Sequence, residues 1–239
     1  MLTSDRKKLV VSSGAGISAE SGMMTYRDAG GLWNNYPVME VASAEGFARN
    51  PKLIHEFYSN MRRKMTEGVK PNAAHVALAE MERDYDVQII TQNVDDLHER
   101  AGSSHVLHLH GELMKVRSMR REDRVYQLPC DQLTDKGLTT TVDTRDPYGD
   151  PVRPHIVFFG EAVPNFEPAM SLVQQADIFV VIGTSLVVYP AASLIQCARQ
   201  ETEIYYIDPN PAKVPSWVHV IPKKATEGVA ELRALLRSH

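Results

Sequence analysis

The feature that most narrows what this chain can fold into lies near its start. An apolar run, KKLVVSS, breaks at Ser13 into GAGISAESG, so Gly14, Gly16 and Ala19 satisfy G-x-G-x-x-G/A directly after a candidate strand. Glycines permit a tight turn and a close backbone approach to a phosphate, and a helix opening in ISAESG is expected to aim its positive end at that anion. Four more runs, DVQIITQN, HVLHLHG, IFVVIGTS and EIYYIDPN, are rich in Val, Ile or Tyr and end in small or polar residues, as buried parallel strands do. Helical patterns lie between most of them: PNAAHVALAEMERD with Asn72 as N-cap, EPAMSLVQQA, YPAASLIQCARQ and, at the end, GVAELRALLRSH. This alternation predicts an α/β fold built on a doubly wound, Rossmann-like parallel sheet.

Two stretches interrupt the rhythm. One, about 34–71, holds the helical run NPKLIHEFYSNMRRKM, with Asn50 as cap and Pro51 at the first helical position. The other, about 113–154, is polar and Thr- and Asp-rich, with turn signals at DKG, DPYGD and RP. Both read as insertions that build a smaller lobe on a larger one formed by about 1–33, 72–112 and 155–239, within a single catalytic domain. The 239 residues are enough for one sizeable core. A net charge of −4 argues against a nucleic-acid partner, and two cysteines, Cys130 and Cys197, leave no disulfide framework and fit a reducing compartment. No run approaches the ~20 apolar residues of a membrane helix, and the first apolar run is too short for a signal peptide. A cytoplasmic monomer is expected.

A polar cluster marks the site. TQNVDDLHERAG and HLHGE each follow a strand, and ligands of open parallel sheets sit at the carboxyl ends of strands. Gln92, Asn93 and Asp95 would then share a crevice with His110 and the glycine turn. Amides suit sugar hydroxyls, and a histidine near its ordinary pKa of about 6.5 suits removal of a hydroxyl proton. Alternatively, Gln92 and Asn93 satisfy backbone groups at the strand end and Asp95 caps the next helix. His98, His105 and His108 read as structural, on a helix surface, a turn and a strand. His110 differs because Gly111 beside it leaves room for a ligand. One element of a dinucleotide dehydrogenase is missing: Glu40 stands near the distance expected for a ribose-binding acid, but WNNYPVMEVAS makes a poor second strand.

The motifs GAGISAESG, TYRDAGGLW, TQNVDDLHERAG, HLHGE, PHIVFFGE, GTSLVVYPAA and IDPNP stand in the order found in the sirtuins, and the chain resembles that family from about Val10 to Ala225. The resemblance implies an NAD-dependent removal of acyl groups from protein lysines, with NAD consumed and nicotinamide, free lysine and O-acyl-ADP-ribose formed. It implies that Gly14, Ala15, Gly16 and Ser18 face the pyrophosphate, that Ala19 opens the following helix, and that Tyr26 and Arg27 belong to a loop over the nicotinamide ribose. Gln92 and Asn93 would contact that ribose. Ile17, Asn93 and Asp95 would define the nicotinamide pocket. Asn93 would act in catalysis beside His110, the general base that accepts a proton from the ribose hydroxyls. Gly183, Thr184, Ser185, Asp208 and Ala225 would hold the adenosine half. Val157, Phe158, Phe159, Gly160 and Glu161, with Val187, Val188 and Tyr189, would wall a cleft in which the substrate backbone adds as a strand.

The sequence departs from the family pattern twice. The zinc-binding lobe of most sirtuins carries two cysteine pairs, whereas Ser118 stands where the first cysteine belongs and only Cys130 follows, so no metal is expected. Sirtuins that remove acidic acyl groups place an arginine three residues after a tyrosine; here FYSNMRRK puts Met61 three after Tyr58 and Arg62 four after. Leu53, Phe57 and Met61 also form an i, i+4, i+8 stripe that reads as core. Removal of acetyl and other acyl groups, longer or acidic ones such as succinyl included, is therefore expected, with acid selectivity open. An NAD-dependent ADP-ribosyltransferase and a non-enzymatic NAD sensor are the alternatives.

Overall fold

The computed structural model describes residues 6–23, 36–134 and 137–237. The five apolar runs become strands of one sheet: β1 (Lys8–Ser13), β2 (Asp86–Thr91), β3 (Val106–His108), β7 (Ile178–Ile182) and β8 (Glu203–Ile207). A sixth, β9 (His219–Ile221), was not legible, being three residues long with two of them exposed. All pair in parallel in the order β3-β2-β1-β7-β8-β9. Counted by appearance within this sheet, that is 3-2-1-4-5-6, the dinucleotide-binding order, with its switch point between β1 and β7.

Helices cover both faces. On one, α4 (Ala73–Glu80) and α8 (Ala225–Arg237) bury Leu78, Val229 and Leu232 against Leu9, Val11, Ile89 and Val180. On the other, α7 (Phe166–Gln174) buries Ala169 and Val173 against Val10, Phe179 and Tyr206. Apolar residues on both sides of each strand thus explain the continuous rather than alternating runs. Asn72 caps α4 as predicted, accepting from the Ala74 amide. YPAASLIQCARQ differs from expectation, forming a 3-10 helix over Ala191–Cys197. Ser193 donates its hydroxyl back to the Pro190 carbonyl, which competes with the α ladder.

The interruptions hold further helices and a second sheet. The first holds α1 (Val38–Val41), α2 (Ala44–Arg49) and the long α3 (Pro51–Glu67), where Asn50 accepts from the Leu53 amide and Pro51 opens the helix. Glu40 lies in α1, not at a strand end. The second holds α6 (Asp131–Thr134) and an antiparallel sheet ordered β5-β4-β6, from β4 (Gly111–Ser118), β5 (Val125–Gln127) and β6 (Val152–Ile156). These strands were missed because GELMKVRS and VRPHI carry charges on a half-covered face. Between β2 and β3 lies the remaining helix used below, α5 (Leu97–Ala101).

Buried polar groups tie the small sheet to its surroundings. Ser118 accepts the amides of Arg120 and Arg121, and Asp146 accepts those of Tyr148 and Asp150 together with the Tyr126 hydroxyl. Arg62, wholly buried on α3, donates to the carbonyls of Leu113 and Leu138 and to the Thr140 hydroxyl. The polar stripe His55, Ser59, Arg62 runs beside the apolar one and meets Thr140, a pattern the sequence reading overlooked. Among the described residues no group of three or more His, Cys, Asp or Glu side chains is arranged to hold a metal ion.

Candidate active site

The sheet register brings the motifs together. Ser13 pairs with Thr91 on one side and Ile182 on the other, and Ile182 pairs with Ile207. The segments that follow these residues, 14–19, 92–95, 183–185 and 208–210, therefore leave the sheet at the same edge around the switch point, where this fold opens its crevice.

The glycine turn is locked to the end of β7. Gly14 donates its amide to the Ile182 carbonyl at 2.9 Å and Gly16 to the Gly183 carbonyl at 2.8 Å. A Cβ on Gly14 or Gly16 would fall 2.8 or 2.6 Å from atoms of residues 183 and 184, so these positions need glycine for contact with protein backbone. This packing demands glycine independently of any approach to a phosphate. The expected helix in ISAESG is absent. Ala15–Ile17 and Ala19–Ser21 are two 3-10 turns, with the Ile17 and Ser18 amides donating to the Gly14 and Ala15 carbonyls and the second turn closed by Gly22 in the left-handed region. Ala19 therefore opens a 3-10 turn.

Behind the turn lies a buried polar web. The Asn93 amide nitrogen donates to the Gly14 carbonyl and the Ser18 hydroxyl, both at 3.2 Å. Ser18 in turn donates to Asp95 Oδ2 at 3.1 Å, while Asp95 Oδ1 accepts the Leu97 amide at the start of α5. Asp95 thus holds the first amide of α5 from one residue before the N-cap, Asp96, and joins the polar web. Burial pushes its carboxyl up to about 6, against the opposing pull of those hydrogen bonds. Gln92 reaches the Thr184 hydroxyl at 3.4 Å.

His110 stands at the lip, partly exposed, with Nδ1 2.9 Å from the Gln92 carbonyl. A carbonyl there requires the proton on Nδ1 and leaves the lone pair on Nε2. Burial lowers the pKa, with the Gln92 bond acting against it, so the neutral base form predominates at pH 7. Gly111 has a task that the sequence did not show. At φ +83° it lets β4 approach β6, and a Cβ would lie 2.0 Å from the His155 carbonyl oxygen. His98 is also corrected: it is buried, not on the helix surface, with Nε2 3.0 Å from the Ser13 hydroxyl.

Of the residues expected to hold the adenosine half, Asp208 spends one oxygen on the Asn210 amide, and Ala225 begins α8. Glu20, unremarked in the sequence, accepts both the amide and hydroxyl of Thr226 and so ties the turn to that helix. Of the residues expected to wall the peptide cleft, Phe159, Val187 and Tyr189 are exposed, Phe158 is buried and Val157 donates to the His110 carbonyl. Glu161 grips Arg153 through both oxygens and accepts the Phe158 amide, fixing the turn at Gly160. Leu186 adopts φ 56° between Ser185 and Val187, a conformation costly for a branched side chain that marks this wall as locally strained. Tyr58, Met61 and Phe158 belong to one apolar cluster, with the Tyr58 and Phe158 rings 6.0 Å apart. Tyr26 and Arg27 lie outside the described residues.

A 3-2-1-4-5-6 parallel sheet with a glycine turn, hydroxyls, amides and a histidine at its switch point defines a Rossmann-type dinucleotide-binding protein. The chain belongs to the Sir2 family, whose model matches residues 14–190. An NAD-dependent protein deacylase of Bacteroides thetaiotaomicron is 51% identical over 96% of this chain and 98% of its own length. One of Aggregatibacter actinomycetemcomitans is 57% identical over 84% of this chain and 93% of its own. Among solved structures, a Sir2 homologue–NAD complex is 38% identical with a TM-score of 0.83, covering 98% of this chain and 91% of that one. A Sir2–p53 peptide–NAD+ complex is 29% identical with a TM-score of 0.80, covering 98% and 95%.

Proposed function

We propose that this chain removes acyl groups from lysines of proteins or peptides, consuming NAD and yielding nicotinamide, unmodified lysine and O-acyl-ADP-ribose. It is an enzyme, an NAD-dependent protein deacylase. The observation that carries this reading is the convergence of His110, Asn93, Ser18 and Asp95 at the switch point of a Sir2-family sheet.

The donor set fits NAD: amides and hydroxyls suit its riboses, and Asp208 and Ala225 stand where the adenosine end would lie. NAD supplies the glycosidic bond whose cleavage drives acyl removal. Gly14, Ala15, Gly16, Ile17 and Ser18 shape the pyrophosphate and nicotinamide side, with Ala19, Tyr26 and Arg27 following. Gly183, Thr184 and Ser185 take the other half. Asn93 orients the ribose, Gln92 contacts it, and His110 accepts a hydroxyl proton at Nε2 with no protein nucleophile involved. The peptide lies between Val157–Glu161 and Val187–Tyr189. We further read 34–71 and 113–154 as the smaller lobe, supported by its separate sheet. A monomer acting in the cytoplasm, away from nucleic acid and membranes, completes the reading; the charge of −4 supports it. No helix among the described residues is long and apolar enough to cross a membrane.

The preferred acyl groups are acetyl and longer neutral chains. Tyr58, Met61 and Phe158 are buried together in one apolar cluster, which supports a neutral acyl chain beside them, and Arg62 has committed Nε and Nη1 to the Leu113 and Leu138 carbonyls. Its Nη2, buried without a hydrogen-bond partner, is the one nitrogen left for an acidic acyl group. Met61→Arg is expected to raise kcat/KM for succinyl-lysine relative to acetyl-lysine by at least about tenfold, the scale of one charge-assisted pair. The ratio cancels any general loss of folded enzyme. An unchanged ratio would show that residue 61 does not face the acyl chain, and wild-type preference for succinyl-lysine would assign that carboxylate to Arg62.

A further inference from the structure

The loop that carries Asn93 is held in an unusual manner. Four consecutive carbonyls, Thr91 to Val94, each accept a hydrogen bond from one short segment, residues 108–113. Leu109 and Leu113 bind the first and last through their amides, at 2.8 and 2.7 Å. The middle two are bound by imidazoles: His110 Nδ1 on Gln92 and His108 Nδ1 on Asn93, each at 2.9 Å. His108 is buried at the end of β3, and its Nε2 lies 2.7 Å from Glu99 Oε1 on α5. Both ring nitrogens therefore have acceptors, an arrangement that only the imidazolium satisfies in full.

We infer that His108, paired with Glu99, is a positioning residue for the deacylation reaction: it pins the Asn93 carbonyl so that the Asn93 amide stays aimed at Gly14 and Ser18. The two histidines of HLHGE then divide the labour. His110 exposes Nε2 to the crevice, whereas His108 turns Nε2 away from it, to Glu99. Burial works against charge on His108, but the Glu99 hydrogen bond and charge outweigh it and raise its pKa, while Glu99 is lowered. The other charged or titratable groups acting on the pair are Glu112, Asp95, His98 and Lys115. Without the pin, the turn at Asn93 keeps its amide bond to the Thr91 hydroxyl but loses the fixed direction of its carbonyl.

This inference rests on the deacylase reading, and one assay separates the two. Wild type, His108→Leu, His108→Asn and Glu99→Ala are compared on an acetyl-lysine peptide for kcat and peptide KM, with melting temperature measured in parallel. An asparagine amide can occupy the place of Nδ1–H, so His108→Asn keeps the donor to Asn93 and leucine does not. The expected result is a fall in kcat of about tenfold or more for His108→Leu with peptide KM within twofold, a smaller fall for the solvent-side variant Glu99→Ala, and recovery of most of kcat in His108→Asn. Wild-type-like kcat in His108→Leu, or equal losses in the leucine and asparagine variants, would overturn the positioning role. Absence of deacylation by the wild type would instead overturn the deacylase reading.

Discussion

His110→Ala is expected to lower kcat for deacylation by about 10²–10⁴-fold, the range general-base catalysis contributes, while ADP-ribose affinity by calorimetry changes little. The side chain does two things, donating Nδ1–H to the Gln92 carbonyl and presenting Nε2 to the crevice. His110→Asn separates them, since an amide can restore the donor but cannot accept a proton at neutral pH. It is therefore expected to be as inactive as His110→Ala, the reverse of the rescue expected at His108. An active His110→Asn would make the residue a loop clamp and leave the reaction without its base. The pH profile gives an independent reading. Burial lowers the His110 pKa from 6.5, so the base form persists below that pH and the acid limb of kcat is expected there.

Gly183→Ala is expected to cost several kcal/mol of stability and most of the affinity for NAD. Gly183 has φ +60°, and a Cβ would lie 2.4 Å from the Ile17 amide nitrogen and 2.6 Å from the Gly16 carbonyl carbon. The backbone conformation alone costs an L-residue about 1–2 kcal/mol, and backbone cannot rotate away as a side chain can. Relief requires the glycine turn to separate from β7, breaking the Gly16–Gly183 hydrogen bond on which the crevice depends. Gly22→Ala is the internal control. That residue has φ +84° with nothing among the described residues within 4 Å of the added carbon, so the conformational cost of about 1–2 kcal/mol is all that is expected there. Chemical denaturation should place Gly183→Ala well below Gly22→Ala. Equal losses would mean that the turn and the end of β7 are not interlocked.

The legible parts of the molecule were those in which one strong local rule acts. Strands buried on both faces write continuous apolar runs, and Asn50 and Asn72 mark helix starts because few other side chains accept an N-terminal amide. The parallel sheet followed from those runs, and His110 and Asn93 from their place after two of them. What escaped depends on distant partners. The packing of Gly14 and Gly16 against Gly183 escaped because the sequence does not reveal that contact. His98 and His108 looked ordinary because their partners, Ser13, Glu99 and the Asn93 carbonyl, are set by tertiary contacts. The role of Arg62, four residues after Tyr58, also escaped, because its acceptor carbonyls at Leu113 and Leu138 have no side-chain signature.

The central claim is tested most directly by mass spectrometry of all products from NAD and an acetyl-lysine peptide. The account predicts equimolar nicotinamide, unmodified lysine peptide and O-acetyl-ADP-ribose, with none formed when NAD is omitted. NAD hydrolysed while the acetyl group stays on lysine, or ADP-ribose attached to the peptide, would contradict it and make this crevice the site of a different reaction.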